Sequence, residues 1–299
     1  MHFIEKNDQT TTIEVFEAIP WSRLPNYLWT SAKSRAREIW RYRGLLKNLV
    51  IRDLKVRYKN SLLGVLWSLL NPLLMMLVFT AVFTVMRGRD IQGFPAFILS
   101  GLLPWQFFQN AISASTDSIV GNAYLINKVY FPREVLIIAA VLSNLVNFVL
   151  ALLVLFPIIY LVGIPLTFWA LLLPVMLLLL VLFTLGVGFI VATANVFYRD
   201  VKMVVEVVLL AGFFLTPIFY SINTLPKSYE LFGTTWDIQR LMYYLNPMAS
   251  IIENFQRILY HGNQPAFTFV LRTLLTAILF LFVGLAIFYR YNSRFGEEV

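Results

Sequence analysis

The chain has 299 residues, of which 59% are hydrophobic and only 13% are charged. A soluble domain has about 45–50% apolar and about 25% charged residues, so the composition excludes a soluble enzyme or a disordered regulator and places the chain in a membrane. The net charge is +8, and the sequence has no cysteine and two histidines. A disulfide framework and a thiolate metal site are therefore excluded, and little material remains for a histidine metal site.

The first sixty residues are polar and basic. Twelve of the 24 Lys and Arg residues lie before Ser61, and basic residues that flank membrane spans are retained in the cytoplasm. The stretch Met1–Pro20 is acidic and rich in threonine, unlike the short apolar core of a secretory signal. We therefore predict that residues 1–60 form a cytoplasmic N-terminal segment.

A helical pattern occurs within this segment, over Leu28–Tyr42. At about 100° per residue its apolar side chains fall within an arc of about 120°, and these are Leu28, Trp29, Ala32, Ala36, Ile39 and Trp40. A basic amphipathic helix that carries tryptophan is typical of the lipid headgroup layer, so we predict an interface helix. A helix packed on a soluble partner is the alternative. The next stretch, Gly44–Asn60, is apolar on too many sides to be assigned.

Apolar runs of about twenty residues indicate membrane spans. The sequence predicts six of them within residues 61–290, at Leu62–Met86, Phe94–Thr116, Val135–Val162, Leu166–Ala194, Met203–Ile222 and Phe267–Tyr289. With the N-terminus inside, eighteen basic residues lie on the cytoplasmic side and six on the outer side, as the positive-inside rule requires. The fold class is therefore an all-α integral membrane protein with both termini in the cytoplasm and a short C-terminal tail, residues 291–299.

About forty residues separate the last two predicted spans. Their second half is apolar, but Asn246 and Pro247 interrupt it, and each piece is too short to cross the hydrocarbon layer. We predict short re-entrant helices within residues 223–264 on the outer face. A small folded external cap is the alternative.

The predicted spans lack the residues that couple transport to an ion gradient or to ATP. Ion-coupled pumps place carboxylates or histidines at mid-membrane, whereas the ionisable residues here lie at or near span ends, among them Asp117, Glu134, Glu206 and Arg272. The phosphate-binding pattern GxxxxGK[ST] is also absent. No bound cofactor is expected, and uphill transport would have to use energy supplied by another polypeptide.

Polar and aromatic side chains within the spans suggest a lined pathway. The polar ones include Asn71, Gln106, Asn110, Asn144 and Asn147, although Asn144 and Asn147 also suit hydrogen bonding between helices. Aromatic rings offer a flat face along which sugars can slide. The candidates for such a path are Trp67, Phe97, Trp105, Phe108, Phe213, Phe214 and Phe219. Interfacial belts and lipid-facing bulk are the alternative for each ring.

Four motifs in chain order carry a resemblance to a known family. Residues 52–58 read RDLKVRY, residues 127–134 read NKVYFPRE, residues 195–200 read NVFYRD and residues 244–247 read YLNP. Together they resemble the membrane subunits of type 2 ABC exporters, specifically the polysaccharide-export family, from about residue 45 onward.

The resemblance implies a homodimer that pairs with two cytoplasmic ATPase subunits in the inner membrane, with ATP used by those partners and no nucleic acid involved. It implies export of a lipid-linked polysaccharide, such as O-antigen on undecaprenyl diphosphate or teichoic acid. It assigns ATPase docking to Asn127, Lys128, Val129, Tyr130, Phe131, Pro132, Arg133 and Glu134, and a second cytoplasmic contact to Tyr198, Arg199 and Asp200. Within the docking loop, we expect Tyr130, Phe131 and Pro132 to form an aromatic knob flanked by charge.

A basic cluster close to the inner leaflet attracts anionic headgroups. Arg52, Lys55, Arg57 and Lys59 are therefore candidates for drawing in a lipid diphosphate, although plain positive-inside topology also explains them.

Two other functions remain open. An ABC permease for drugs or small lipids would share the fold. A membrane-embedded glycan-modifying enzyme would need a catalytic pair, for which only His261 and Glu253, eight residues apart, come near.

Overall fold

Helices make up most of the chain that the computed structural model describes, which comprises residues 34–64, 66–87, 93–220, 229–231 and 234–299. Two helices precede the first apolar segment: α1 at residues 34–41 and α2 at Arg43–Tyr58. The unassigned stretch 44–60 is thus almost entirely helical. Of the predicted interface helix, Leu28 and Trp29 lie outside the described residues, whereas Ile39 and Trp40 lie on α1.

Each of the six predicted apolar segments coincides with a helix: α3 (Leu66–Arg87), α4 (Phe94–Ser118), α6 (Glu134–Leu161), α7 (Leu173–Phe197), α8 (Val201–Leu215) and α11 (Phe267–Tyr291). A short helix, α5 (Ala123–Lys128), lies between α4 and α6. Within the described residues, four stretches are long and apolar enough to cross a membrane, at Leu66–Val85, Glu134–Leu161, Phe168–Phe197 and Phe267–Glu298. The helical membrane architecture is confirmed.

The other two segments fall short of a span for different reasons. α4 has 25 residues, but it carries Gln106, Gln109 and Asn110 near its middle, which lowers its hydropathy. α8 has only 15 residues, about 22 Å of helix, whereas the hydrocarbon core is about 30 Å thick.

The described part of the segment before α11 contains a small hairpin and two short helices. Strands β1 (Tyr229–Leu231) and β2 (Thr234–Trp236) pair antiparallel, with Tyr229 opposite Trp236. Next come α9 (Ile238–Leu245) and α10 (Pro247–Leu259), and α12 (Phe295–Glu298) ends the chain. Asn246, which interrupts the apolar run, accepts a hydrogen bond from the backbone N–H of Ala249 at 3.3 Å and so caps α10. The strands were not predicted.

The helices pack around α4, which contacts α3, α6, α7, α8 and α10. α10 is itself largely buried, with Ile252, Phe255 and Ile258 in the main apolar core. By contrast, α8 exposes most of its large apolar side chains, namely Met203, Val204, Val207, Val208, Leu210, Phe214 and Leu215. An apolar surface of this extent requires lipid or a partner around it.

α7 and α11 form the most extensive helix pair in the described chain. Gly186 and Gly284 face each other where the two backbones meet, and a Cβ built on Gly186 would lie 2.6 Å from the carbonyl oxygen of Phe280. Small residues at a helix crossing permit such close backbone approach, as in other membrane bundles. The absence of side chains at these two positions therefore sets the distance between α7 and α11.

Substituting Gly186 or Gly284 by alanine is expected to lower the melting temperature of the purified protein. Overpacking of a tight contact costs about 1–3 kcal/mol. Gly44→Ala is the matched control, since Gly44 is also helical but has no atom within 4 Å of a built Cβ. Its melting temperature should stay equal or rise, because alanine favours the helix. Tryptophan fluorescence during heating measures the melting temperature of all three variants. A native melting temperature in Gly186→Ala and Gly284→Ala would contradict this packing.

Candidate functional site

The segment Asn127–Glu134, called the docking segment below, divides into an exposed half and a buried half. Asn127, Lys128, Val129 and Tyr130 are exposed, and the Tyr130 side chain is 86% exposed. Phe131 is only 5% exposed, and Pro132 and Glu134 are also buried. The expectation that Phe131 and Pro132 belong to an exposed knob is therefore wrong. Tyr130 alone supplies the exposed aromatic surface of this segment.

Phe131 is buried because its ring belongs to an apolar cluster at this end of the bundle. The cluster also contains Phe189 from α7, Phe288 from α11 and Phe295 from α12. Burying an aromatic side chain contributes about 1.5–3 kcal/mol. Phe131 thus anchors the docking segment to the bundle and leaves its neighbour Tyr130 at the surface.

Arg133 ties the docking segment to the end of the chain. Its Nη1 donates to the backbone carbonyl of Asn292 and also lies 3.3 Å from Asn292 Oδ1. The guanidinium lies 5.9 Å from the ring centroid of Phe295, a cation–π distance. Burial lowers the pKa of Arg133, while the neighbouring Glu134 opposes that shift. The group remains charged at neutral pH, because an arginine keeps its proton in proteins.

Residues 292–299, called the C-terminal segment below, make up most of the predicted tail 291–299, and they pack against the bundle. The Phe295 side chain is fully buried, and its ring lies 5.3 Å from that of Phe288 and 6.2 Å from that of Phe197. Sequence reasoning missed Asn292 and Phe295 as partners of the docking segment. The sequence signal that could have identified Phe295 is that it is the one aromatic residue within the mostly polar residues 292–299.

A cavity of about 350 Å³ lies between the docking segment, α1 and the end of α11. At its wall Glu134 is 1% exposed, and its Oε1 lies 3.8 Å from Arg35 Nη1 on α1. Arg35 also lies 5.2 Å from the ring centroid of Tyr289. Burying a carboxylate is costly unless a cation is near, so this pair favours keeping α1 beside the docking segment.

The second predicted contact, Tyr198, Arg199 and Asp200, joins α7 to α8 and is exposed throughout. It lies at the same end of the bundle as the docking segment. Two contacts place it there: the ring of the preceding Phe197 packs near Phe295, and Lys202 Nζ lies 2.7 Å from Asp117 Oδ2 at the end of α4. The hydrogen bond and charge of Asp117 raise the pKa of Lys202.

The predicted basic cluster lies on or just after α2, with all four side chains exposed. Arg52 donates to Asp53 Oδ1 at 2.9 Å and to Asn122 Oδ1 at 2.9 Å. Arg57 donates through Nη2 to Asn144 Oδ1 on α6 at 2.9 Å. Lys55 and Lys59 are exposed on and just after the same helix. All four basic residues therefore lie within or next to the last two turns of α2, and Arg57 reaches toward α6.

Most aromatic residues predicted for a path are packed inside the single chain. Phe97, Trp105, Phe108 and Phe219 belong to the main core, and Phe213 packs partly buried against it. Trp105 and Phe108 also line an apolar cavity of about 820 Å³ between α4, α7 and α8. These five side chains therefore pack within one chain, and their place on a substrate path stays a prediction. Trp67 and Phe214 are exposed and remain available.

The candidate pair for a glycan-modifying enzyme, Glu253 and His261, makes other contacts. Glu253 Oε1 accepts a hydrogen bond from Arg257 Nε at 3.1 Å. His261 packs edge-on against Tyr260; burial lowers the pKa of His261, and the charge of Glu253 opposes that shift. Among the described residues, no group of three or more His, Asp and Glu side chains could hold a metal ion.

Phe295→Ala is expected to loosen the docking segment, since removing a fully buried phenylalanine costs about 3–5 kcal/mol. The melting temperature should fall, and trypsin should cleave faster after Arg133, because the C-terminal segment holds Arg133 in the native chain. Glu297→Ala alters an exposed residue of the same segment and should leave both measurements unchanged. Equal cleavage rates in the two variants would contradict a bracing role for Phe295.

Comparison with known proteins identifies the family of this chain. The model of the ABC-2 type transporter family matches residues 44–260. The O-antigen export system permease protein RfbA of Myxococcus xanthus is 36% identical over 267 residues, covering 88% of this chain and 98% of that protein. A protein of the same name from Klebsiella pneumoniae is 32% identical over 254 residues, covering 85% and 94%. The polysialic acid transport protein KpsM of Escherichia coli is 25% identical over 253 residues, covering 80% and 90%. The chain belongs to the ABC-2 type transporter family.

Proposed function

We propose that this chain is the transmembrane subunit of an ATP-driven exporter that moves a lipid-linked polysaccharide, of O-antigen or teichoic-acid type, across the cytoplasmic membrane. The observation that carries the proposal is the similarity, along most of the chain, to relatives named as O-antigen export permeases. The scarcity of charge inside the spans agrees with it, because a chain without its own coupling residues needs an ATPase subunit. ATP therefore acts on the partner, and this chain is not itself an enzyme.

The proposed topology has six spans with both termini in the cytoplasm. The four long apolar helices supply four crossings. α4 supplies another, because α3, α6, α7, α8 and α10 pack around it, and a helix inside a bundle tolerates polar side chains that a lipid-facing helix does not. α8 would cross together with the residues after Leu215, and α9 and α10 would dip into the outer face as re-entrant helices. Eighteen of the 24 basic residues then lie inside.

The proposed ATPase contact is the end of the bundle that carries the docking segment and Tyr198–Asp200. Tyr130 supplies an exposed aromatic ring and Lys128 an exposed charge on a backbone that Phe131 and Arg133 hold in place. Aromatic residues on a rigid support favour the centre of protein interfaces. Two ATPase subunits would bind a homodimer, in which the exposed apolar side chains of α8 and α3 face the second copy or lipid.

Two further elements fit the proposal. Trp40 and the basic residues of α1 would lie at the membrane surface as an interface helix. The basic cluster Arg52, Lys55, Arg57 and Lys59 would draw an undecaprenyl diphosphate toward the inner leaflet. A permease for drugs or small lipids is the second candidate, since it would share the fold and the exposed apolar surface. It would export its substrate without any dependence on glycan synthesis.

Tyr130→Ala is expected to weaken binding of the ATPase subunit by about tenfold or more, as for an interfacial hot spot. Surface polysaccharide should fall accordingly, with the melting temperature of the chain unchanged. Tyr160→Ala is the matched control, because Tyr160 is 81% exposed and lies at the opposite end of α6. Co-purification of the ATPase and immunoblotting of surface glycan measure both variants. Normal assembly and export with Tyr130→Ala would contradict the docking role.

The absence of cysteine allows the topology to be tested directly. Single cysteines at Lys128, Arg199 and Glu298 should react with a membrane-impermeant maleimide only after the cells are opened. Cysteines at Gly163 and Asn263 should react in intact spheroplasts. Labelling of Arg199→Cys from outside would contradict six crossings, because that position would then follow an odd number of spans.

A further inference from the structure

Five of the polar side chains that interrupt the apolar segments are brought together in one cavity. This cavity, called the carboxamide groove, is lined by Asn71 from α3, Gln106 and Asn110 from α4, and Asn144 and Asn147 from α6. Its volume is about 270 Å³, several times the roughly 30 Å³ that one water molecule occupies in the liquid. A polar recess of this size within an apolar helical domain is a candidate ligand site.

The end of α2 forms one wall of the groove. Arg57 and Tyr58 line it, and both donate hydrogen bonds to α6: Arg57 Nη2 to Asn144 Oδ1 at 2.9 Å, and Tyr58 Oη to Asn147 Oδ1 at 2.7 Å. Asn144 and Asn147 therefore do bond between helices. The groove thus begins at the helix that carries the basic cluster.

The groove retains hydrogen-bonding capacity that the chain does not use. Asn147 Nδ2 is buried and has no hydrogen-bond partner among the described residues. A buried polar group without a partner costs about 1–3 kcal/mol. Asn71 and Asn110 are exposed, whereas Asn144 is 3% exposed. Donors and acceptors are therefore present from the surface of the groove to its buried wall.

The composition of the groove favours a hydroxylated ligand over an anion. A carboxamide both donates and accepts, and so does a sugar hydroxyl. A phosphate only accepts and is matched by cations, whereas the one cationic side chain here, Arg57, already donates to Asn144. Trp67 also lines the groove and is partly exposed, and its indole offers an apolar face to a sugar ring.

We infer that the carboxamide groove binds a sugar ring of the transported lipid-linked glycan through Gln106, Asn110 and Asn147, with Trp67 against the ring. This inference rests on the proposed export function. It adds a saccharide subsite within one chain, beside the basic cluster that would receive the lipid diphosphate. The site depends on α2, because Arg57 and Tyr58 form its wall.

The test compares two probes on the full-length chain in lipid nanodiscs: undecaprenyl diphosphate bearing one N-acetylhexosamine, and undecaprenyl diphosphate without sugar. Gln106→Leu and Asn110→Leu each remove one carboxamide at similar volume. Gln109→Leu is the matched control, since Gln109 lies on the same helix and is half-buried like Gln106. It does not line the groove, and it accepts its hydrogen bond from Trp105. Thermal melting checks the fold of each variant, and the exposed Asn110 keeps the test valid if Gln106→Leu folds poorly.

The native chain should bind the sugar-bearing lipid several-fold more tightly than the bare lipid. Gln106→Leu and Asn110→Leu should each lose about two- to tenfold of the affinity for the sugar-bearing lipid, the usual effect of one hydrogen bond. Their affinity for the bare lipid and both affinities of Gln109→Leu should stay unchanged. Equal affinity of the native chain for the two lipids would overturn the saccharide subsite. The subsite would also be overturned if Gln106→Leu and Asn110→Leu kept the native affinity for the sugar-bearing lipid, as Gln109→Leu should, or if they lost affinity for both lipids equally. These results would leave the export function intact. If neither lipid binds the native chain, the proposed function itself is overturned.

Discussion

The close approach of α7 and α11 at Gly186 and Gly284 is the contact on which the end of the bundle that carries the docking segment depends. With no side chain at either position, the two backbones touch, and α11 is held along the length of α7. That position brings Phe288 and the C-terminal segment beneath the docking segment, where Phe295 and Asn292 meet Phe131 and Arg133. A contact in the middle of the bundle thereby positions Tyr130 at its surface.

The bilayer explains where the polar groups of this chain lie. Charged side chains are costly in hydrocarbon, and the described ion pairs of Arg35 with Glu134 and Lys202 with Asp117 lie at the end of the bundle that carries the docking segment. Five carboxamides within the apolar segments line one groove. In the described part of the chain, the interior therefore offers polar side chains that can bind, but no charge relay that could drive transport. In the proposed function an ATPase supplies that energy through the docking segment.

The sequence could predict features that depend on local pattern. Each predicted apolar run coincides with a helix, because an apolar run of about twenty residues is a reliable sequence signal for a membrane helix. The docking segment was located by its residue order, but the orientation of each side chain was not. Phe131 and Tyr130 are adjacent and both aromatic, and only the packing of Phe131 against α11 and α12 distinguishes them. The partner of Arg133 is 159 residues away, so no local signal could have identified Asn292. The burial of Trp105 and Phe108 could not be predicted for a related reason, since helices from distant parts of the chain pack against them.

The central claim is that this chain moves a lipid-linked glycan with energy taken from a separate ATPase. The direct measurement is transfer of a lipid-linked oligosaccharide across proteoliposomes that contain the purified chain, alone or together with its ATPase subunit, with and without ATP. The account predicts transfer only when the chain, the ATPase and ATP are all present, and no ATP hydrolysis by the chain alone. Transfer by the chain alone, or no transfer by the complete set, would contradict it.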